Sequence, residues 1–439
     1  MAKFKLSKRW YPLRYHEIQN QLMLSKARFK VVPAGRRSGK TENAKRNLVE
    51  QGLLESTLGQ FDDYRYFAAA PTRDQAKAIY WQDLKALTEG LRIGEPRETD
   101  LMITLLTGAE IWVLGMDKPQ RIEGRPWNGG VLDEYADMKP GVWGANIRPA
   151  LADRKGWCWL IGVPEGRNHY HDLYQRAISD TSGEWEGFTW KSADILDPEE
   201  IASARLDLDE LTFKQEFEAS FVNFEGRAYY PFEEATHCSK ALKYDPTQPL
   251  IFTFDFNVAP GTAGVLQEQV LPSGLQGTGI IGEVYIPRNS NTPAVCRKLI
   301  ADWGDHYGKV VCYGDATGGA RGSAKVDGSD WDIIKRHMRA QYGERVFFRV
   351  PDANPPERTR LNAVNTRLLN MEKQVRLMVD PSKAPHIVKD FEGVTLLKGG
   401  SGELDKMDNP DLTHLSDGIG YYVNYEFPIT GKKTFVKDF

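Results

Sequence analysis

The run Phe29-Lys30-Val31-Val32-Pro33-Ala34-Gly35-Arg36-Arg37-Ser38-Gly39-Lys40-Thr41 passes from an apolar strand through a basic, glycine-bearing loop into a helix. In the stretch that follows, Ala44/Leu48 and Val49/Leu53 are apolar pairs four apart, as one face of a helix requires, with Gly52 a weak point near its end. Strand, loop and helix in this order are the context in which G-x-x-x-x-G-K-[ST] holds a nucleotide. Here Ala34 stands in the first glycine slot and Gly35 follows it. The backbone N–H groups of Gly35, Arg36, Arg37, Ser38 and Gly39 can turn inward on phosphate oxygens, aided by the positive end of the helix. Lys40 would reach the β- and γ-phosphates of ATP, and the Thr41 hydroxyl would bind Mg²⁺.

The flanking segments repeat this grammar. Residues 15–29 read as an amphipathic helix ahead of the strand. It carries Gln19, with Gln21 as the alternative, as the candidate for recognising an adenine edge. Residues 64–70 form a strand, followed by a polar turn and a helical stretch, which is the repeating unit of a parallel α/β sheet. Residues 102–115 read as a hairpin turning at Thr107-Gly108. The run Gly129-Gly130-Val131-Leu132-Asp133-Glu134 is a short buried strand ending in two acids, which need a nearby cation if buried. Asp133 would hold the Mg²⁺ shell, and Glu134 would orient and activate the attacking water. Residues 156–166 form another apolar strand entering a Pro/Gly turn, placed to sense the nucleotide.

The pattern changes between residues 208 and 249, and the sequence places a domain boundary near residue 225. The expected division is 1–225, with a linker subdomain near its end, and 226–439. In the second part, a β-branched and aromatic strand, 250–257, carries a lone carboxylate, Asp255. Residues 263–286 make a hairpin turning at Pro272-Ser273-Gly274, and 291–308 a helix. Asp315 ends a strand, 309–315, before the small-residue loop 316–324, which would admit a substrate backbone. Asp408-Asn409-Pro410-Asp411 would cap a helix over 412–423 on which His414 and Asp417 share a face and Leu415, Ile419 and Tyr422 point to the core. Asp255, Asp315 and Asp417, supported by His414, resemble the acids of the ribonuclease-H-like nuclease fold. There, two Mg²⁺ or Mn²⁺ ions activate water and stabilise the leaving oxygen of a phosphodiester. Glu283 reads as an exposed edge-strand acid.

Composition sets the class. The chain has 439 residues, 41% hydrophobic and 27% charged, too long for one core and ordinary for a globular protein. A net charge of −3 gives no global basic signature, so any nucleic-acid contact must use a local patch. Basic residues cluster at Lys3, Lys5, Lys8, Arg9 and Arg14, and at Lys432, Lys433 and Lys437, and read as solvated tails. Cys158, Cys238, Cys296 and Cys312 lack metal or disulfide spacing. No signal-peptide core and no bilayer-length apolar run is present, so a soluble intracellular protein is expected.

A P-loop half followed by a ribonuclease-H-like half resembles the large terminase subunit of tailed bacteriophages along nearly the whole chain. The resemblance is carried by residues 34–41, 71–76, 121–138 and 163–174, and by Asp255, Asp315, Asp417 and His414. It implies an α/β fold: an N-terminal P-loop ATPase domain of RecA/ASCE type, and a C-terminal ribonuclease-H-like nuclease domain with a basic tail. It further implies a motor that drives double-stranded DNA into a procapsid by ATP hydrolysis and cuts the concatemeric genome. Its partners would be a small terminase subunit and a portal ring. It would work as a pentamer in the host cytoplasm, off the membrane, and the isolated chain could be a monomer. The family often has arginine before the glycine preceding its second acidic motif. Here Glu123 precedes Gly124, with Arg121 and Arg125 flanking. Arg121 is the candidate trans-acting arginine finger, with Arg36 and Arg37 as competitors. Val163 and Pro164 stand where the family's coupling motif commonly has Ser or Thr. The alternatives are a cellular helicase–nuclease, which should show a second motor lobe, and a non-catalytic ATP-binding scaffold, which should lack turnover.

Overall fold

Five consecutive buried residues, Phe29–Pro33, form strand β1, buried on both faces because helices cover both sides of its sheet; its one charged residue, Lys30, donates to the Leu22 and Ser25 carbonyls at 2.9 and 2.8 Å. The computed structural model describes residues 7–13, 16–222, 225–256, 260–316, 329–397, 402–407 and 412–429. Outside this set lie Lys3, Lys5, Arg14, most of the 316–324 loop, the 408–411 cap and the lysines at 432, 433 and 437. The chain divides into two units: Met1–Ile201 with Lys214–Asn223, and Ala202–Phe213 with Phe224–Phe439. The division cuts the helices Pro198–Asp207 and Glu210–Glu218.

The first unit is a seven-stranded sheet. To β1 it adds β2 (Arg65–Ala70), β3 (Met102–Thr104), β4 (Glu110–Gly115), β5 (Gly129–Leu132), β6 (Trp157–Gly162) and β7 (Trp185–Gly187), in the order β3-β4-β2-β5-β6-β1-β7. All pairings are parallel except β3 with β4, the hairpin expected over 102–115. β6 lies between the P-loop strand β1 and β5, whose end carries the two acids. Phe29, Val31 and Leu132 pack on one side of the sheet; Val32, Val131 and Trp159 pack on the other. The helix before β1 is short, Glu17–Leu24, and begins at His16, whose Nδ1 accepts from the N–H of Ile18. Helix Arg73–Ala76 continues through a π-turn, Lys77–Trp81, into Gln82–Leu87. Arg9 is not in a solvated tail: its guanidinium pairs with Glu42 at 2.7 Å and Asp83 at 3.1 Å, tying the start of the chain to the P-loop helix Lys40–Leu54.

The second unit holds β8 (Leu250–Asp255), β9 (Gly261–Val270), β10 (Gln276–Ile286), β11 (Val310–Gly314), β12 (Val346–Phe348) and β13 (Leu377–Val379), in the order β12-β11-β8-β9-β10-β13. β8, β9 and β10 run antiparallel, while β11 and β12 add in parallel beside β8. This is the ribonuclease-H-like arrangement. The helix expected to begin near residue 412 starts at His414 and ends at Glu426; Thr413, at φ 85°, holds the strained turn before it. Leu415, Ile419 and Tyr422 are buried, as the helical spacing predicts. Glu283 is not an exposed edge acid. β10 lies between β9 and β13, and the Glu283 carboxylate accepts from the N–H groups of His386 and Ile387 at the start of helix Pro385–Gly393.

Candidate active sites

The P-loop is held from behind by its own unit. Gly35 donates its N–H to the Trp190 carbonyl at 3.0 Å, and the Arg36 carbonyl accepts from the Ser192 hydroxyl at 2.7 Å. A Cβ on Gly35 would stand 2.4 Å from Ser192 Oγ, 2.5 Å from Ser192 N and 2.8 Å from the Phe217 carbonyl oxygen. Glycine is therefore demanded at 35, and Ala34 is accommodated one residue earlier, at the strand end, where its N–H reaches the Gly162 carbonyl. Arg36 lies 2.6 Å from Glu216. Arg37 (φ 56°) and Gly39 (φ 84°) are left-handed, the turn that lets successive N–H groups face one point. Ser38 Oγ closes the loop on the Gly35 carbonyl at 2.5 Å, and Lys40 is buried.

Gln19 does not present its amide nitrogen to a base. Its Nε2 donates to the Ser38 carbonyl at 2.9 Å, alongside Trp190 Nε1 at the same distance. Gln21 reaches Glu17 on its own helix.

Opposite the loop, one oxygen gathers two donors. Asp133 Oδ2 accepts from Thr41 Oγ1 and from the Tyr80 hydroxyl, each at 2.9 Å, while Oδ1 accepts from the Glu134 N–H at 2.9 Å. Asp133 and Tyr80 are fully buried. Burial first, and then the Asp133 carboxylate, push the Tyr80 hydroxyl well above its ordinary pKa, so it stays a donor. Glu134 is strained, at φ 50° and ψ 47°. Its pKa is raised, chiefly by burial and next by Asp133, with Lys40 and Arg36 opposing. A hard-oxygen pair, the Thr41 hydroxyl and the Asp133 carboxylate, fits Mg²⁺ beside a nucleotide phosphate. Arg121 is exposed on the 3-10 turn Pro119–Ile122, and Arg125 lies over the Trp112 ring.

In the second unit, Phe254 is opposite Gly314 in the parallel register, so Asp255 and Asp315 leave the ends of adjacent strands side by side. Helix His414–Glu426 lies close on β8: a Cβ on Gly418 would be 3.3 Å from Thr253 Oγ1. That approach brings His414 Nδ1 to 3.2 Å from Asp255 Oδ2. Asp255 has a raised pKa, from burial above all, with the charges of Asp417 and Asp315 adding and His414 opposing. Asp315 accepts from Asn354 Nδ2 at 2.7 Å. Asp417 is already paired on both oxygens, with Arg360 Nη1 at 2.9 Å and Lys406 Nζ at 3.0 Å. Carboxylates and an imidazole are the right donors for a divalent ion. Yet among the described residues no group of three or more His, Cys, Asp or Glu side chains is arranged to hold one. The acids are neighbours, but Asp417 is turned to internal cations.

No family model matches the chain. It is 26% identical over 261 residues to the large terminase subunit of Thermus phage G20c, covering 51% of this chain and 52% of that protein. It is 26% identical over 199 residues to the large terminase subunit of Escherichia phage T5, covering 43% and 45%. The large terminase of a thermophilic bacteriophage superposes with a TM-score of 0.61 at 15% identity, over 94% of this chain and 99% of that one. The chain is a relative of phage large terminase subunits. It spans about half the length of the curated relatives it matches. The same thermophilic-phage terminase in complex with ADP superposes with a TM-score of 0.60 at 14% identity, over 93% and 99%.

Against that terminase fold, several residues around the sites carry no motif and are visible only in three dimensions. Tyr80, Ser192 and Glu216 reach the ATPase-type site from segments far from the P-loop, and Arg360 and Lys406 reach Asp417. Only Tyr80 leaves a trace in sequence, as an aromatic within an expected helix.

Proposed function

We propose that the chain is a viral packaging motor: it hydrolyses ATP to move double-stranded DNA into a procapsid and cleaves concatemeric genome DNA. The observation that carries this reading is the Thr41–Asp133 hydrogen bond at 2.9 Å, with Glu134 beside it, in a parallel sheet with one strand between P-loop and acids. Lys40 and the N–H groups of Arg37, Ser38 and Gly39 bind the β- and γ-phosphates; those of Gly35 and Arg36, expected to face phosphate as well, are instead donated to the Trp190 and Glu216 carbonyls. Thr41 and Asp133 would hold Mg²⁺. When bound, Mg²⁺ neutralises charge that develops on the phosphates. Glu134, kept basic by its raised pKa, orients water and takes its proton. Gln19 acts by fixing the loop through Ser38. Arg121, by its exposure, is suited to act on a neighbouring subunit; Arg36 and Arg37 are the competitors within the loop. The Gly162 carbonyl, on the P-loop side of β6, supports a sensing role for the segment that follows.

Cleavage of DNA by divalent-metal chemistry, in its two-ion form, is assigned to Asp255, Asp315 and Asp417, with His414 in support. Its basis is the strand-end register of the first two acids and the His414–Asp255 contact. Mg²⁺ or Mn²⁺ suits the donors. The same reading takes 1–225, with a linker subdomain near its end, as the motor domain and 226–439 as the nuclease domain, although residues Ala202–Phe213 group with the second unit. Partners would be a small terminase subunit and a portal ring, with the active assembly a pentamer in the host cytoplasm. Among the described residues no helix is long and apolar enough to cross a membrane. A helicase–nuclease is disfavoured by the second unit, whose central strands are antiparallel where a second motor lobe would be parallel. Purified chain assayed with DNA and Mg²⁺ should turn over ATP; ATP binding without turnover would favour the scaffold.

A further inference from the structure

Asp417 carries two cations of very different character. Arg360 is fixed: its side chain is 8% exposed, and its guanidinium lies 4.2 Å from the Tyr421 ring centroid while pairing with Oδ1. Lys406 is half in water, with its side chain 49% exposed. Its ammonium bridges two carboxylates, Asp417 Oδ2 at 3.0 Å and Glu357 Oε2 at 3.0 Å. The backbone fixes where it stands. Leu397 donates to Glu403 and Asp405 to Thr395, each at 2.8 Å, and the Leu404 N–H reaches Glu357 Oε1 at 2.7 Å. Lys406 follows directly after this ladder.

We propose that Lys406 is a displaceable internal cation of the nuclease centre, neutralising Asp417 until a divalent ion takes its place. The proposal rests on the nuclease reading of Asp255, Asp315 and Asp417. It accounts for acids that are neighbours yet do not form a metal-holding group. Three clustered carboxylates, two of them largely buried, repel one another unless cations intervene. With Glu357, which shares Lys406, the four carboxylates and two cations leave two negative charges; a divalent ion replacing Lys406 at Asp417 makes the cluster neutral, Lys406 staying paired with Glu357. Release is inexpensive because Lys406 keeps Glu357 as a partner and enters solvent that already reaches half its side chain. Arg360, enclosed, has no such exit. Lys406 thus sets the threshold of metal loading, and a DNA phosphate near the centre is the natural acceptor for the freed ammonium.

The test is Mn²⁺ binding by calorimetry to the nucleotide-free full chain, for wild type and for Lys406→Gln, Lys406→Arg and Asp255→Asn. Removing the competing charge in Lys406→Gln should tighten Mn²⁺ binding about tenfold, the equivalent of losing one partly screened ion pair. Lys406→Arg, which keeps the charge, should bind as wild type or more weakly. Asp255→Asn should lose the site. Equal Mn²⁺ affinity in wild type and Lys406→Gln, with Asp255→Asn still abolishing it, would overturn the role of Lys406 alone. Unchanged binding in Asp255→Asn would place the ion elsewhere and overturn the nuclease reading with it.

Discussion

Thr41 and Asp133, 92 residues apart in sequence, meet through a 2.9 Å hydrogen bond from Oγ1 to Oδ2. The bond joins the loop that would bind phosphate to the strand end that would hold Mg²⁺, and fixes the two against each other, as electrostatic catalysis requires. The same oxygen takes the Tyr80 hydroxyl and Oδ1 takes the Glu134 N–H, so both carboxylate oxygens are held.

Tyr80→Phe tests that orientation. Loss of one donor should leave the fold intact and raise the Mg²⁺ concentration for half-maximal ATP hydrolysis by roughly 10-fold, as removal of a ligand's hydrogen-bond partner commonly does. The Mg²⁺ titration at saturating ATP is the measurement. A purely structural role would lower the melting temperature and leave the Mg²⁺ dependence unmoved.

Gly35→Ala tests the cradle. The added methyl meets backbone at Ser192 and Phe217, so relief requires the loop itself to move. Overpacking of this kind costs about 1–3 kcal/mol, and nucleotide affinity should fall with it. Ser192→Gly removes the hydroxyl but not the nitrogen 2.5 Å away, and so should not rescue Gly35→Ala. Rescue in a urea titration would show that the loop is more yielding than the geometry implies.

The P-loop, the central strands of both sheets and the neighbouring acids are legible because each rests on a local pattern: apolar strand, glycine turn, carboxylate at or near a strand end. The edge strands β7, β12 and β13 are not, because three residues each are too few to show a period. Nor is the cradle, because Ser192 and Glu216 meet the loop only once distant segments fold over it. Gln19 illustrates the limit differently. Its helix was visible, but which amide partner it takes depends on the Ser38 carbonyl, which no periodicity reports. The start of the last helix was misplaced because Leu412 and Thr413 fit the helical spacing, whereas Thr413 adopts a left-handed turn.

Asp390 gives a pH test in the second unit. It is buried, accepts from the Ser416 N–H at 3.0 Å beneath the helix that carries His414 and Asp417, and is pushed up to about 6, mainly by burial. A carboxyl that holds its proton more tightly folded than unfolded stabilises the fold below its ordinary value, and that contribution is lost as pH rises through about 6. At 1.36 kcal/mol per pH unit the loss is roughly 3 kcal/mol. Between pH 4 and 7 the unfolding transition of this unit should shift downward in wild type and much less in Asp390→Asn. Parallel pH profiles would contradict it.

The central claim is that one chain holds two separate hydrolytic centres, and a crossed assay of Glu134→Gln and Asp255→Asn measures it most directly. Both variants and wild type are assayed side by side for DNA-stimulated ATP turnover and for plasmid cleavage in Mn²⁺. Glu134→Gln should lose at least ~100-fold in ATP turnover and cleave plasmid as wild type does, while Asp255→Asn should lose cleavage and keep its ATP turnover. Wild-type cleavage by Asp255→Asn, or wild-type ATP turnover by Glu134→Gln, would contradict the account.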